Sequence, residues 1–188
     1  TKICALLDHF DKEVAWHATA FRGTSENEFL VRDVIVYPQT VTASTVEMDT
    51  DQYAKWLMGN YEDDRFNNIR CQMHSHVNMG VFASSVDTQH QDEILAQLGN
   101  DDFYIFMILN KRHEVYVKIF DMRNNIVFET KDVTWFVADG QYRLSSFLKE
   151  ADTLVQDYVR QGYQYFPQGE STELGITAVR DTEKMVVM

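Results

Sequence analysis

Ile69-Arg70-Cys71-Gln72-Met73-His74-Ser75-His76-Val77 leads through 78–83 to Ser84-Ser85-Val86-Asp87, and this stretch decides how the chain is read. Its skeleton is His-x-His, seven residues, serine, two residues, aspartate. Two imidazoles and one carboxylate at these spacings suit a single divalent metal such as zinc, with a fourth position left open for water. An open position argues for a hydrolytic site over a closed structural one.

Residues 69–77 read as a strand, on which alternate side chains share a face. His74 and His76 then point one way, and Cys71, Met73 and Ser75 the other. That alternation rules out Cys71 as a further ligand. The stretch 78–83 contains Gly80 and shows no period, so a loop is expected. A helix is expected over 85–98, with Ile94, Leu95 and Leu98 as its apolar stripe and Gly99 as its stop. Asp87 falls in its first turn, placed to fold back over the strand end. Ser84 and Asp87 also form a capping-box pattern, and a lone His-x-His is more often packing than ligation. The two motifs at this spacing together favour the metal reading, and a capping serine improves the placement of Asp87.

The pattern resembles the JAMM (MPN+, or JAB-domain) zinc metalloproteases, bacterial or phage type included. The resemblance implies an MPN-like (cytidine-deaminase-like) α/β/α domain, a central mixed sheet flanked by helices. It assigns His74, His76 and Asp87 to one zinc ion and Ser84 to support of the tetrahedral intermediate. The family also uses a glutamate on an earlier strand as general acid/base, and Glu13, opening the strand-like run 13–22, fits that place. Two departures stand out: Val-Ala-Trp-His follows Glu13 where the family usually has a glycine, and Val77 follows the second histidine where a proline is common. Members cleave peptide or isopeptide bonds, often beside a ubiquitin-like tag, so a protein or peptide substrate is expected. The likeness covers 1–137 as the catalytic domain. Residues 138–188 are expected to add a helix and tail packed on it.

Those residue types answer the needs of amide hydrolysis. Zinc lowers the pKa of a water it holds towards about 7 and polarises a carbonyl. A nearby carboxylate takes the proton and returns it to the leaving amine. The serine hydroxyl opposes charge developing on the carbonyl oxygen.

The chain has 188 residues, 45% of them hydrophobic, enough for one globular core. No apolar run approaches the ~18 residues of a membrane helix, and no secretory signal pattern opens the chain, so no membrane association is expected. Thr1 in place of methionine is compatible with a processed start. Cys4 and Cys71, the only cysteines, read as reduced core residues of a cytoplasmic protein. A net charge of −12 argues against a nucleic-acid partner, which needs lysine and arginine.

Around the motif, a helix is expected over 2–10, with strands at 13–22 and 28–37 joined by the polar turn 23–27. Residues 39–48, rich in threonine and valine, suggest a further strand or extended loop. Asp49 or Thr50 caps a helix ending at Gly59. Three strands follow, at 103–109, 115–121 and 126–133. Helical spacing of Leu144, Phe147, Leu148, Ala151, Leu154, Val155, Tyr158 and Val159 predicts one helix over 143–160. Beyond it Gly162, Pro167, Gly169 and Gly175 break any pattern, and Tyr163, Tyr165 and Phe166 are suited to docking the tail. His9, His17, His90 and His113 lack partners at ligand spacing and read as ordinary.

Two other functions were set against the zinc peptidase. A scaffold of the same fold usually lacks part of the motif, which is complete here. A metal-dependent phosphoesterase or amidohydrolase also opens with His-x-His, but needs further histidine and carboxylate clusters that are absent. A zinc deaminase is excluded because its His-x-Glu and Pro-Cys-x-x-Cys pair is missing.

Overall fold

The computed structural model describes residues 1–42, 45–136 and 144–158. They form an α/β architecture of helix α1 (Lys2–His9), strands β1 (Ala15–Arg22), β2 (Phe29–Val36), β3 (Gln39–Val41) and β4 (Val46–Glu47), helix α2 (Thr50–Gly59), strand β5 (Ile69–Ser75), helix α3 (Ser85–Leu95), strands β6 (Phe103–Leu109), β7 (Val115–Asp121) and β8 (Ile126–Glu129), helix α4 (Leu144–Leu154) and strand β9 (Val155–Asp157). The main sheet has the order β2-β1-β5-β6-β7-β8. Within this sheet, among the described residues, only the β5–β6 pair is parallel, and α3 supplies the crossover that parallel neighbours require. The sheet is therefore mixed, with the motif strand near its middle.

Register shows which helix covers which face. His17 of β1 lies opposite Gln72 of β5, so both point to one side. On that side His17 bonds Tyr53 of α2 and Gln72 bonds His90 of α3. Trp16, Cys71, Met73 and Ile105 point to the other side, where they share a core with Leu6 and Leu7 of α1 and Phe147 and Ala151 of α4. Trp16 is fully enclosed, its indole N–H donating to the Met73 sulfur at 3.1 Å. Helices thus cover both faces. The stripe Ile94, Leu95 and Leu98 packs on Tyr104, Phe106 and Phe120, as the sequence predicts.

Several boundaries differ from the expectations, each for a local reason. β1 begins at Ala15, leaving Glu13 just outside the strand. α3 ends at Leu95, where bonds from Gln97 N–H to Ile94 O and from Leu98 N–H to Leu95 O tighten the last turn. β8 stops at Glu129 because the Thr130 hydroxyl takes over the Val117 backbone, accepting from its N–H at 2.9 Å and donating to its carbonyl at 3.1 Å. The helix expected over 143–160 ends at Leu154, and Val155–Asp157 instead pairs in parallel with β3. With β4 they make a second, three-stranded sheet, into which the 39–48 region resolves as two short strands. The tail beyond Tyr158, including Tyr163, Tyr165 and Phe166, lies outside the described residues. Among the described residues no helix is long and apolar enough to cross a membrane.

Candidate metal centre

His74 and His76 project from the same face at the C-terminal end of β5, as strand alternation requires. Their Nε2 atoms lie 3.1 Å apart, and His74 Nε2 lies 3.6 Å from Asp87 Oδ1. The three side chains are buried, and one donor atom from each falls within 4.8 Å of the others. Ligands ~2.1 Å from a tetrahedral ion stand ~3.4 Å from one another, so these separations fit one shared cation. The donor chemistry agrees. His76 Nδ1 is 2.8 Å from the Gly80 carbonyl, which can only accept, so the ring proton sits on Nδ1 and the Nε2 lone pair faces the centre. Burial pushes the His74 imidazole down to about 4 despite the neighbouring Asp87 charge, keeping it in the neutral form that ligates.

Asp87 is aimed by its own helix start. One carboxylate oxygen, Oδ2, accepts from the Ser84 backbone N–H at 2.7 Å, while the Ser84 hydroxyl oxygen accepts from the Asp87 N–H at 3.1 Å. This reciprocal capping box leaves Oδ1 turned towards His74. The capping reading of Ser84-x-x-Asp87 is therefore realised, and it leaves Asp87 where it could share a metal ion with His74 and His76. Because its oxygen is the acceptor, Ser84 keeps its hydroxyl proton for donation.

Glu13 is buried, with 3% of its surface exposed. Burial raises its carboxyl above the usual carboxylate range, with His76 opposing the rise and Asp87 adding to it. His76 and Asp87 are thus the charged neighbours that act on Glu13. Ala15 lies opposite His74 in the register, so Glu13, two residues earlier, belongs to the ligand side.

The loop after His76 is fixed from several directions. His76 N–H donates to Leu109 O and Lys111 N–H to Val77 O, both at 2.7 Å. The buried Asn110 amide donates to Met79 O at 2.8 Å, and Arg112 reaches Asn78 O at 3.0 Å. Phe82 stands edge-on to the His76 ring and is exposed, as is Met79.

Three contributors escaped the sequence reading. His90, read as ordinary, bonds Gln72 at 2.7 Å and shares a small cleft with His74, Asp87 and Gln91. Its position three residues after Asp87 on a helix was the available signal. Ser75, known only to point away from the ligands, bonds the Val14 backbone. Asn110 closes its own turn through Arg112 and Glu114, which is local, but its bond to Met79 O, 31 residues earlier, had no local signal. His17 shares the ligand face, but its ring bonds Tyr53 at 2.8 Å and stacks on Tyr37. Cys71 is free, buried and on the opposite face, and burial raises its thiol. No protein-family model matches this chain, and no curated protein does.

Proposed function

We propose that the chain is a zinc-dependent hydrolase of peptide or isopeptide bonds, of the JAMM type and MPN-like fold. It acts on a protein or peptide substrate, such as one carrying a ubiquitin-like tag, in the cytoplasm. The observation that carries this reading is the convergence of His74, His76 and Asp87 on one point with the buried carboxyl of Glu13 beside them. A scaffold would have no use for an acid of raised pKa next to a ligand cluster.

His74, His76 and Asp87 would hold the zinc, which when bound activates water and polarises the scissile carbonyl. Glu13 removes the proton from the attacking water and hands it to the leaving amine. Its raised carboxyl makes it a stronger base than an ordinary glutamate and a ready donor in the second half. Ser84 donates its hydroxyl proton to the carbonyl oxygen as charge builds there. The same residue holds the Asp87 carboxylate through its backbone N–H, so placement and stabilisation come from one residue.

Elemental analysis and turnover of a peptide-amide or ubiquitin-like substrate test this together. Wild type should load about one zinc per chain, and His74→Ala, His76→Ala or Asp87→Ala should lose it. Glu13→Gln should keep the zinc and lose roughly 10²–10⁴-fold in rate. Wild type that cannot be loaded in excess zinc would sink the metal assignment, and full activity in Glu13→Gln would sink the general base.

A further inference from the structure

Glu13 stands outside the ladder that organises the site. The last registered pair between β1 and β5 is Ala15 with His74. Beyond it, among the described residues, the backbone on either side of Glu13 is bonded by a single residue, Ser75. Its N–H donates to Val14 O at 2.9 Å, its hydroxyl oxygen accepts the Val14 N–H at 2.9 Å, and its hydroxyl reaches Lys12 O at 3.4 Å. These contacts grip the residues on both sides of Glu13. Val14 is 1% exposed, so its N–H has no water to fall back on.

The other ties on this segment are weaker in kind. Asp11 pairs with Lys111 and Lys12 with Asp157, but the acidic partners are largely exposed, and exposed ion pairs contribute little. Ser75 itself is buried, ends β5 and lies between His74 and His76 in sequence. Alternation turns it to the opposite face, so its hydroxyl can hold the Glu13 segment without entering the ligand set. The strand that sets His74 and His76 thereby also sets the distance to Glu13.

We propose that Ser75 is a positioning residue that couples the placement of Glu13 to the placement of the two histidines, an inference that rests on Glu13 being the proton-transfer group. It works through the Val14 backbone and touches neither metal nor substrate.

The test uses the full chain loaded with zinc. In Ser75→Ala the zinc content should be unchanged, kcat should fall roughly 10–100-fold and KM should stay within about twofold. Without substrate, amide exchange at Val14 should quicken about tenfold while that at Ile105 in β6 holds. Ser75→Thr keeps the hydroxyl and should restore both readouts. In case the added methyl overpacks the site, the double variant Glu13→Gln/Ser75→Ala decides. It should be no slower than Glu13→Gln alone, because a misplaced group that is already absent costs nothing more. If Ser75→Ala slows the Glu13→Gln protein by the same factor as wild type, Ser75 acts independently of Glu13 and the proposal is wrong. The exchange measurement separates the two ways of failing. Zinc bound with no hydrolysis in wild type defeats the functional reading, whereas hydrolysis with unchanged Val14 exchange in Ser75→Ala defeats the assignment of Ser75.

Discussion

Val77, one residue after His76, has a φ of 43°. This is the left-handed region, which a β-branched side chain occupies at a cost of about 1–3 kcal/mol. The surroundings hold it there: Lys111 N–H binds the Val77 carbonyl, and Met79 N–H binds the His76 carbonyl just before it, both at 2.7 Å. The turn brings Gly80 O onto His76 Nδ1 and so fixes the ring at the candidate metal centre. Proline, common at this place in the family the motif resembles, is locked near φ −65° and cannot follow this path. Val77→Pro should therefore destabilise the fold by roughly 2 kcal/mol or more and weaken zinc binding. Val77→Gly removes the strain but loosens the unfolded chain, and the two should nearly cancel. Thermal melts and zinc titrations of both variants check this. A neutral Val77→Pro would mean that the loop runs otherwise.

At the scale of elements, the legible features were those whose causes are local. Alternation over 69–77 placed His74 and His76 together, although β5 itself ends at Ser75, and Ser84 with Asp87 announced the start of α3. The strand expected over 103–109 is β6, and the polar turn 23–27 joins the antiparallel pair β1 and β2. What the sequence hid depended on partners far along the chain. Val155 continues a helical pattern, yet β3 offers it a strand edge more than a hundred residues earlier in sequence. Thr130 ends β8 through a bond to Val117 that no window of sequence displays. The Ser75–Val14 bond and the Asn110–Met79 bond are of the same kind. Where a feature is local, its energy is also separable. Ser84→Ala should cost about 1 kcal/mol by losing the cap. It should keep the zinc stoichiometry, because the backbone N–H of residue 84 still holds Asp87 Oδ2, while affinity weakens slightly with loss of the other half of the box, and turnover should fall less than in Glu13→Gln. Calorimetry with zinc titration measures both effects. An unchanged melt would show that the box does not hold α3.

For the whole molecule, two buried titrating groups far from each other in the sheet set how stability responds to acid. Arg22 at the end of β1 reaches past two strands to Asp121 of β7, with contacts of 2.9 and 2.6 Å, and its guanidinium lies over the Phe29 and Phe103 rings. The Arg22 hydrogen bonds hold the Asp121 carboxyl down to about 2. The folded chain thus resists a proton that the unfolded chain takes near the ordinary carboxylate pKa of 3.8. This contribution, roughly 2 kcal/mol, is present above that value and is lost as pH falls through about 2. His17 acts in a higher window. Burial, with a smaller push from His90, lowers its imidazole from 6.5 to about 4, and its Nδ1 has no hydrogen-bond partner. Below pH 6.5 the unfolded chain gains a proton that folded His17 refuses, so stability declines between 6.5 and about 4 by up to about 3 kcal/mol. Acid also neutralises carboxylates in a chain of net charge −12, which relieves repulsion and opposes both losses. Differences between wild type and variants isolate the two groups. His17→Gln keeps a polar partner for Tyr53 but cannot titrate, so its stability deficit should shrink or reverse as pH falls from 7 to 4. Asp121→Asn leaves Arg22 without its charge partner and should cost about 3 kcal/mol at pH 7, a deficit that closes only below pH 4. Urea unfolding of the metal-free proteins from pH 7 to pH 2 reads both windows. A His17→Gln curve parallel to wild type between pH 7 and 4 would show that His17 protonates as readily folded as unfolded, and would place its ring in contact with water.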